Sequence, residues 1–171
     1  YSGEDTISFS KQLWSEHLAR VSQSGKLFLQ FIRPNGYQYI THHIARSQQC
    51  SDVRLFSMLK PGETAEEFLK RAPKMGEQLI KYDMTSFMDK YRRQDGSKLC
   101  TTLFAHLEKD GNRFIHPIYA RTFTVREAAR VQSFPDDFIF CGPYSKKFRQ
   151  IGNAVPPLLG KKIGEAVLQI L

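Results

Sequence analysis

The chain is poor in sulfur and has no long apolar run. Only three of its 171 residues are cysteine, Cys50, Cys100 and Cys141. The number is odd and no Cys-x-x-Cys pair occurs, which argues against a disulfide framework and a zinc site and fits a reducing compartment. No stretch approaches the ~18 apolar residues of a membrane-spanning helix, so no membrane association is expected. The opening residues, YSGEDTISFS, lack the basic start and apolar centre of a secretory signal. They also lack an initiator Met, which fits processing or trimming. Acidic residues are scarce: 17 Asp and Glu against 25 Lys and Arg, a net charge of +8. That balance makes a polyanion the first partner to consider, because each phosphate neutralised releases a counterion. A basic surface that only keeps the chain soluble is the plain alternative. No internal repeat or low-complexity tract is present, which excludes a solenoid.

What remains is enough for a core: 41% of residues are hydrophobic and 12% aromatic. The length suits one ordinary domain, or a small domain plus an appendage. Lys11–Val21 has helical spacing, with Leu13, Trp14, His17, Leu18 and Val21 apolar or aromatic and Ser10 as a cap. Lys26–Ile32 and Tyr37–Thr41 are apolar runs around Asn35-Gly36, the pattern of a hairpin. His42 and His43 read as solvated polar residues near a strand end, since strand neighbours point to opposite faces and no third metal ligand follows. Ser51–Leu59 reads as a short capped helix stopped by Pro61-Gly62. Thr64-x-x-Glu67 is a capping box opening a helix that Pro73 ends. Lys74–Ser86 carries little signal. Leu99–Ala105 is β-like, and Asp110-Gly111-Asn112 reads as a second hairpin turn.

The most specific stretch is Arg121–Pro157, RTFTVREAARVQSFPDDFIFCGPYSKKFRQIGNAVPP. Thr124-x-x-Glu127 is another capping box, and Phe134-Pro135 ends its helix. Asp136–Phe140 reads as extended, and Ser145–Ile151 as a short basic helix. Gly152-Asn153 reads as a backbone reversal, and Pro156-Pro157 as the start of a last helix. That helix, Leu158–Leu171, carries an apolar stripe of Leu158, Leu159, Ile163, Ala166, Val167, Ile170 and Leu171. Such a stripe packs on this chain's own core or on a domain or subunit outside it.

Two patterns here resemble a known family. Arg121-x-Phe123-Thr124-x-Arg126-Glu127-x-Ala129-Arg130-x-Gln132-x-Phe134-Pro135 is similar to the ninth motif of cytosine-C5 DNA methyltransferases, and Gln150-x-Gly152-Asn153-Ala154-Val155-Pro156-Pro157 to their tenth. Order and spacing also fit, which makes the pair far more specific than one short pattern. Asp89–Arg93, Thr101–Leu103, His106 and Asp110-x-x-Arg113–Pro117 look like the end of that family's target-recognition region. Residues 1–85 carry no comparable motif.

The departures are as informative. The family's Pro-Cys nucleophile, Glu-Asn-Val, Gln-x-Arg-x-Arg and Phe-x-Gly-x-Gly motifs are missing, and the three cysteines follow Gln49, Leu99 and Phe140. In that family the thiolate adds to cytosine C6 so that C5 can attack the methyl sulfonium. The resemblance therefore implies the carboxyl-terminal part of a restriction-modification methyltransferase, a subunit of a split enzyme or a fragment of a longer one. No catalytic residue and no metal site are expected in this chain, which alone is expected to be inactive.

The implied fold is α+β: a small mixed target-recognition domain of hairpins and short helices over 1–118, then a helical segment over 119–171. The segment would pack on a Rossmann-like catalytic domain absent from this chain. The implied partners are double-stranded DNA and the domain or subunit carrying Pro-Cys, in a bacterial, nucleoid-associated cytoplasm. The implied cofactor is S-adenosylmethionine, shared with the missing domain and touched by Asn153, Ala154 and Val155. Thr102 and Leu103 match a Thr-aliphatic pair near the flipped base. Arg92, Arg93 and Arg113 are candidates for phosphates or guanine edges. Arg121, Arg126, Glu127 and Arg130 are expected to brace rather than catalyse. A non-catalytic DNA-binding module of the same fold and a tRNA cytosine methyltransferase fragment are the alternatives.

Overall fold

The structure is a computed structural model that describes residues 6–8, 16, 18–33, 39–81, 90–109 and 111–171. Most of the helix expected over Lys11–Val21, the Asn35-Gly36 turn, Asp89 and Asp110 lie outside them. In chain order the elements are β1 (Thr6–Ser8), α1 (Gln23–Ile32), β2 (Tyr39–Thr41), α2 (Cys50–Met58), α3 (Ala65–Arg71) and α4 (Pro73–Leu79). Two 3-10 turns follow, Ala105–Glu108 and Gly111–Arg113, then α5 (Val125–Val131), α6 (Tyr144–Asn153) and α7 (Pro157–Leu168). The chain forms two compact units, one of residues 1–44 and 124–171, the other Ala45–Phe123.

In the first unit, β1 and β2 pair antiparallel with Ile7 opposite Ile40. The hairpin expected between Lys26–Ile32 and Tyr37–Thr41 is therefore wrong: residues 23–32 are helical, and β2 pairs with the amino-terminal strand. Ser22 starts the helix by accepting from the Gly25 N–H at 3.2 Å. A short apolar run fits strand and helix equally well, and here the cap decides. The core gathers Ile32, Ile40, Val125, Ala128, Ala129, Phe134, Phe140, Phe148 and Ile151. Phe134, Phe138 and Phe140 pack ring to ring at 4.9–5.1 Å between centroids.

The Thr124–Glu127 capping box forms as read. Helix α5 closes in a Schellman motif: Phe134 N–H donates to the Ala129 carbonyl and Ser133 N–H to that of Arg130. Ser133 takes the left-handed position at φ 61°, where glycine is usual. Its hydroxyl then accepts from the Leu158 N–H at 3.0 Å and caps α7, which has no local side-chain cap. Gly152 and Asn153 do not reverse the chain. They lie in the last turn of α6, and the bend follows at Ala154, whose backbone is extended.

The second unit is built on Leu55, Phe56, Leu59, Phe68, Leu79 and Ile115. Its α3 starts at the predicted Thr64–Glu67 box. Pro73 ends that helix and also begins α4, in a region that carried little sequence signal. The two helices approach closely, since a Cβ on Gly76 would lie 3.0 Å from the Leu69 Cα. Helix α2 begins at Cys50, one residue before the expected Ser51, and Gln49 precedes it without a side-chain capping bond. Residues 62–65, 91–94, 114–116 and 121–123 are knitted by single bridges, Thr64 to Arg92, Arg93 to Ile115 and Ile115 to Thr122. The β-like run Leu99–Ala105 is not a strand: it is irregular and ends in a 3-10 turn. The expected second hairpin is also absent, because Gly111–Arg113 is a 3-10 turn.

Candidate functional site

Arg92 and Arg93 are adjacent but differently used. The Arg93 guanidinium donates to four backbone carbonyls, those of Pro117 at 3.1 Å, Phe56 at 3.1 Å, Leu59 at 2.9 Å and Ile118 at 2.9 Å. Arg92 instead lines a cavity of about 570 Å³ together with Lys60, Lys98, Glu63, Asp95 and Thr101. The acids of this cavity are engaged. Glu63 is held by Arg71 at 2.7 and 2.9 Å, a contact that lowers its pKa. Asp95 accepts from the backbone and hydroxyl of Ser97.

The loop of Cys100–Phe104 lies beside it. Thr102 is exposed, while Leu103 is buried. Phe104 packs on Phe114 at 5.5 Å and beneath the Arg113 guanidinium at 5.1 Å. Arg113 is therefore stacked on an aromatic face, a geometry that suits guanidinium. The Cys100 thiol is pushed up to about 11 by burial, so it stays protonated and unreactive at neutral pH. Cys50 and Cys141 are exposed free thiols.

Gln94 was missed by the sequence reading. Its side chain is 5% exposed and links residues 100, 101 and 113. A glutamine in a polar loop carries no local signal of that role. Arg121 donates to the Thr122 carbonyl at 3.0 Å and lies over the Tyr119 ring at 5.4 Å.

In the other unit, Arg126 is fully buried and donates to the Thr41 carbonyl and hydroxyl and to the carbonyls of Pro135 and Phe138, at 2.7–3.1 Å. Glu127 accepts from the Thr124 N–H at 2.8 Å in the capping box. Arg130 grips the fully buried Asp136 with two bonds of 2.9 and 2.8 Å, and Arg33 lies 4.0 Å from the same carboxylate. His42 is not solvated as expected. It is 2% exposed at φ 61°, with Nε2 accepting from the Phe140 N–H at 3.2 Å and Nδ1 3.1 Å from Lys147 Nζ. His43 Nδ1 is 3.0 Å from the Thr124 hydroxyl.

Asn153 and Val155 are exposed on either side of half-buried Ala154, whose N–H bonds to the Ile151 carbonyl. Exposed Asn153 offers a polar carboxamide and exposed Val155 an aliphatic group. Helix α7 exposes Leu159, Ile163 and Val167 along one face, with Ile170 and Leu171 beyond its end. Among the described residues no helix is long and apolar enough to cross a membrane.

The sequence motifs lead to a comparison with known proteins. The C-5 cytosine-specific DNA methylase family matches residues 5–169, and the chain belongs to that family. It is 41% identical over 127 residues to an inferred type II methyltransferase of Oceanobacillus iheyensis, M.OihORF3336P, covering 74% of this chain. It is 48% identical over 85 residues, half of the chain, to the type II methyltransferase M.AgeI of Thalassovita gelatinovora. With M.Bpa9945I of Bacillus paralicheniformis it shares 34% over 134 residues, 77% of the chain. The matched region spans only 26%, 20% and 30% of these three relatives respectively.

Proposed function

We propose that this chain is the DNA-reading and returning part of a DNA cytosine-C5 methyltransferase of a restriction-modification type. One observation carries the reading. The family matches nearly the whole chain, yet none of its three cysteines follows a proline. The nucleophile then comes from a domain or subunit outside these residues. When bound, S-adenosylmethionine supplies the methyl group, and this chain contributes Asn153, Ala154 and Val155 as one wall of its site.

In the division proposed from the sequence, residues 1–118 serve recognition and 119–171 return to the catalytic domain, although residues 1–44 share a compact unit with the return segment. Thr102, open on its loop, and Leu103 beneath it adjoin the flipped cytosine and its neighbours. Arg92 and Arg113 meet phosphates or guanine edges. Arg93 serves the same surface through the carbonyls it fixes. Arg121, Arg126, Glu127 and Arg130 brace, which their backbone, capping and ion-pair bonds support. The open apolar face of α7 docks on the catalytic domain, where burial would stabilise it by about 25 cal/mol per Å².

Binding of the chain to duplex DNA and to tRNA, titrated over the same salt series, tests this reading. The expected result is preference for duplex DNA at every salt concentration, with affinity falling as salt rises. Preference for tRNA would move the substrate to RNA, and no binding to either would remove the recognition role.

A further inference from the structure

Gln94 joins two separate segments of the second unit, Cys100-Thr101 and Arg113, through one buried amide. Its Oε1 accepts from the Thr101 N–H at 3.2 Å, the Thr101 hydroxyl at 3.2 Å and the Cys100 thiol at 3.4 Å. Its Nε2 donates to the Arg113 carbonyl at 3.0 Å. Its own backbone is fixed too, by an N–H bond to the Ile115 carbonyl at 3.0 Å. The loop that follows is pinned again at Phe104, which packs on Phe114 beneath Arg113. Between these two anchors Leu103 turns inward and Thr102 outward.

We propose that Gln94 is a specificity-determining positioning residue, which sets where Thr102 and Arg113 stand relative to each other on the DNA. The proposal rests on the recognition role given above to those residues. The side chain need not touch DNA. Its amide holds one contact segment by its oxygen and the other by its nitrogen, so the two segments keep one spacing. Base readout needs such fixed spacing, because hydrogen bonds to base edges lose strength within a few tenths of an ångström or tens of degrees.

The chemistry is particular to a carboxamide. A glutamate at this position keeps the acceptor but loses the donor to Arg113, and buries a charge. A leucine keeps the volume and loses both. A deleted contact leaves the Thr101 N–H and the Arg113 carbonyl to find water, and the loop then samples several positions. Non-specific attraction to phosphate is untouched, because no charge is removed by Gln94→Leu.

The test uses the complete methyltransferase, with this chain joined or reconstituted with its catalytic part. A duplex library of random sequence is methylated, and the modified cytosines are read by sequencing. The wild-type enzyme is expected to mark one recurring motif. Gln94→Leu should still methylate and should show the same salt slope of DNA binding. Its discrimination at one or more motif positions should fall about tenfold or more. Thr101→Val, which removes only one of the four bonds, should relax the motif less, and Thr101→Ser should keep it. A purely structural role would lower the melting temperature and leave the motif unchanged. An unchanged motif in Gln94→Leu overturns the proposal. If that variant fails to fold, an unchanged motif in Thr101→Val does so. A wild-type enzyme that marks cytosines without any motif refutes the underlying recognition reading, whatever Gln94 does.

Discussion

The Arg126 guanidinium donates to the Thr41 carbonyl at 3.1 Å, across 85 positions of sequence. This bond and its three companions tie β2 to the segment after α5, so one side chain closes the first unit. Arg126→Met should destabilise the chain by about 3 kcal/mol or more, since it strands the buried carbonyl and hydroxyl of Thr41 and the part-buried carbonyls of Pro135 and Phe138. Arg126→Lys should recover little, because an ammonium cannot span the same fork. Urea denaturation of both variants measures the difference.

The two neighbouring arginines should separate stability from binding. Arg93→Ala removes four bonds to carbonyls and should cost about 2–4 kcal/mol. Arg92→Ala should leave stability within about 0.5 kcal/mol and weaken DNA binding, lowering the salt slope by about one. Denaturation and DNA titration on the same two proteins test the pair. A stable Arg93→Ala, or an Arg92→Ala with wild-type binding, would reverse the assignment.

Local chemistry was legible in the sequence and long-range chemistry was not. Both capping boxes formed where Thr64–Glu67 and Thr124–Glu127 announced them, because the bonds lie within four residues. Lys26–Ile32 misled because an apolar run of that length has no decisive period, and its cap, Ser22, lies four residues upstream of the run. Gly152-Asn153 looked like a turn by composition, yet the pair completes α6. His42 looked solvated because its partners, Phe140 and Lys147, lie 98 and 105 positions away. Gln94 gave no sign because a glutamine in a polar loop has no local pattern that marks its bonds to Cys100, Thr101 and Arg113. The ninth and tenth motifs were legible as patterns, but the pattern does not tell that Arg126 is buried while Asn153 is open.

Alkaline pH should weaken the second unit. Burial, then the nearby Asp52 carboxylate, pushes the Tyr91 hydroxyl up to about 12 from 10.0. The hydroxyl donates to Asp52 at 3.1 Å. Between those values the folded chain keeps a proton that the unfolded chain releases. Stability is therefore intact below pH 10 and falls as pH climbs toward 12. Tyr91→Phe should flatten that decline, as melting temperatures from about pH 9 to about pH 11 would reveal. An equal slope in both proteins would contradict it. The buried Cys100 thiol adds a decline of the same sign in both.

The open face of α7 should make the isolated chain adhesive. Leu159, Ile163 and Val167 are all about half exposed, which is unusual for aligned aliphatic residues on one helix. The chain alone should bind a hydrophobic dye or self-associate in analytical ultracentrifugation. Ile163→Glu with Val167→Glu should abolish both and also weaken reconstitution with the catalytic part. A monodisperse wild-type chain without dye binding would count against a docking face.

The most direct measurement is transfer of labelled methyl from S-adenosylmethionine to duplex DNA, with the chain alone and then with a partner carrying the Pro-Cys motif. The account predicts no transfer by the pure chain and recovery on adding the partner. Robust transfer by the pure chain would contradict it, because the nucleophile would then have to be Cys50, Cys100 or Cys141.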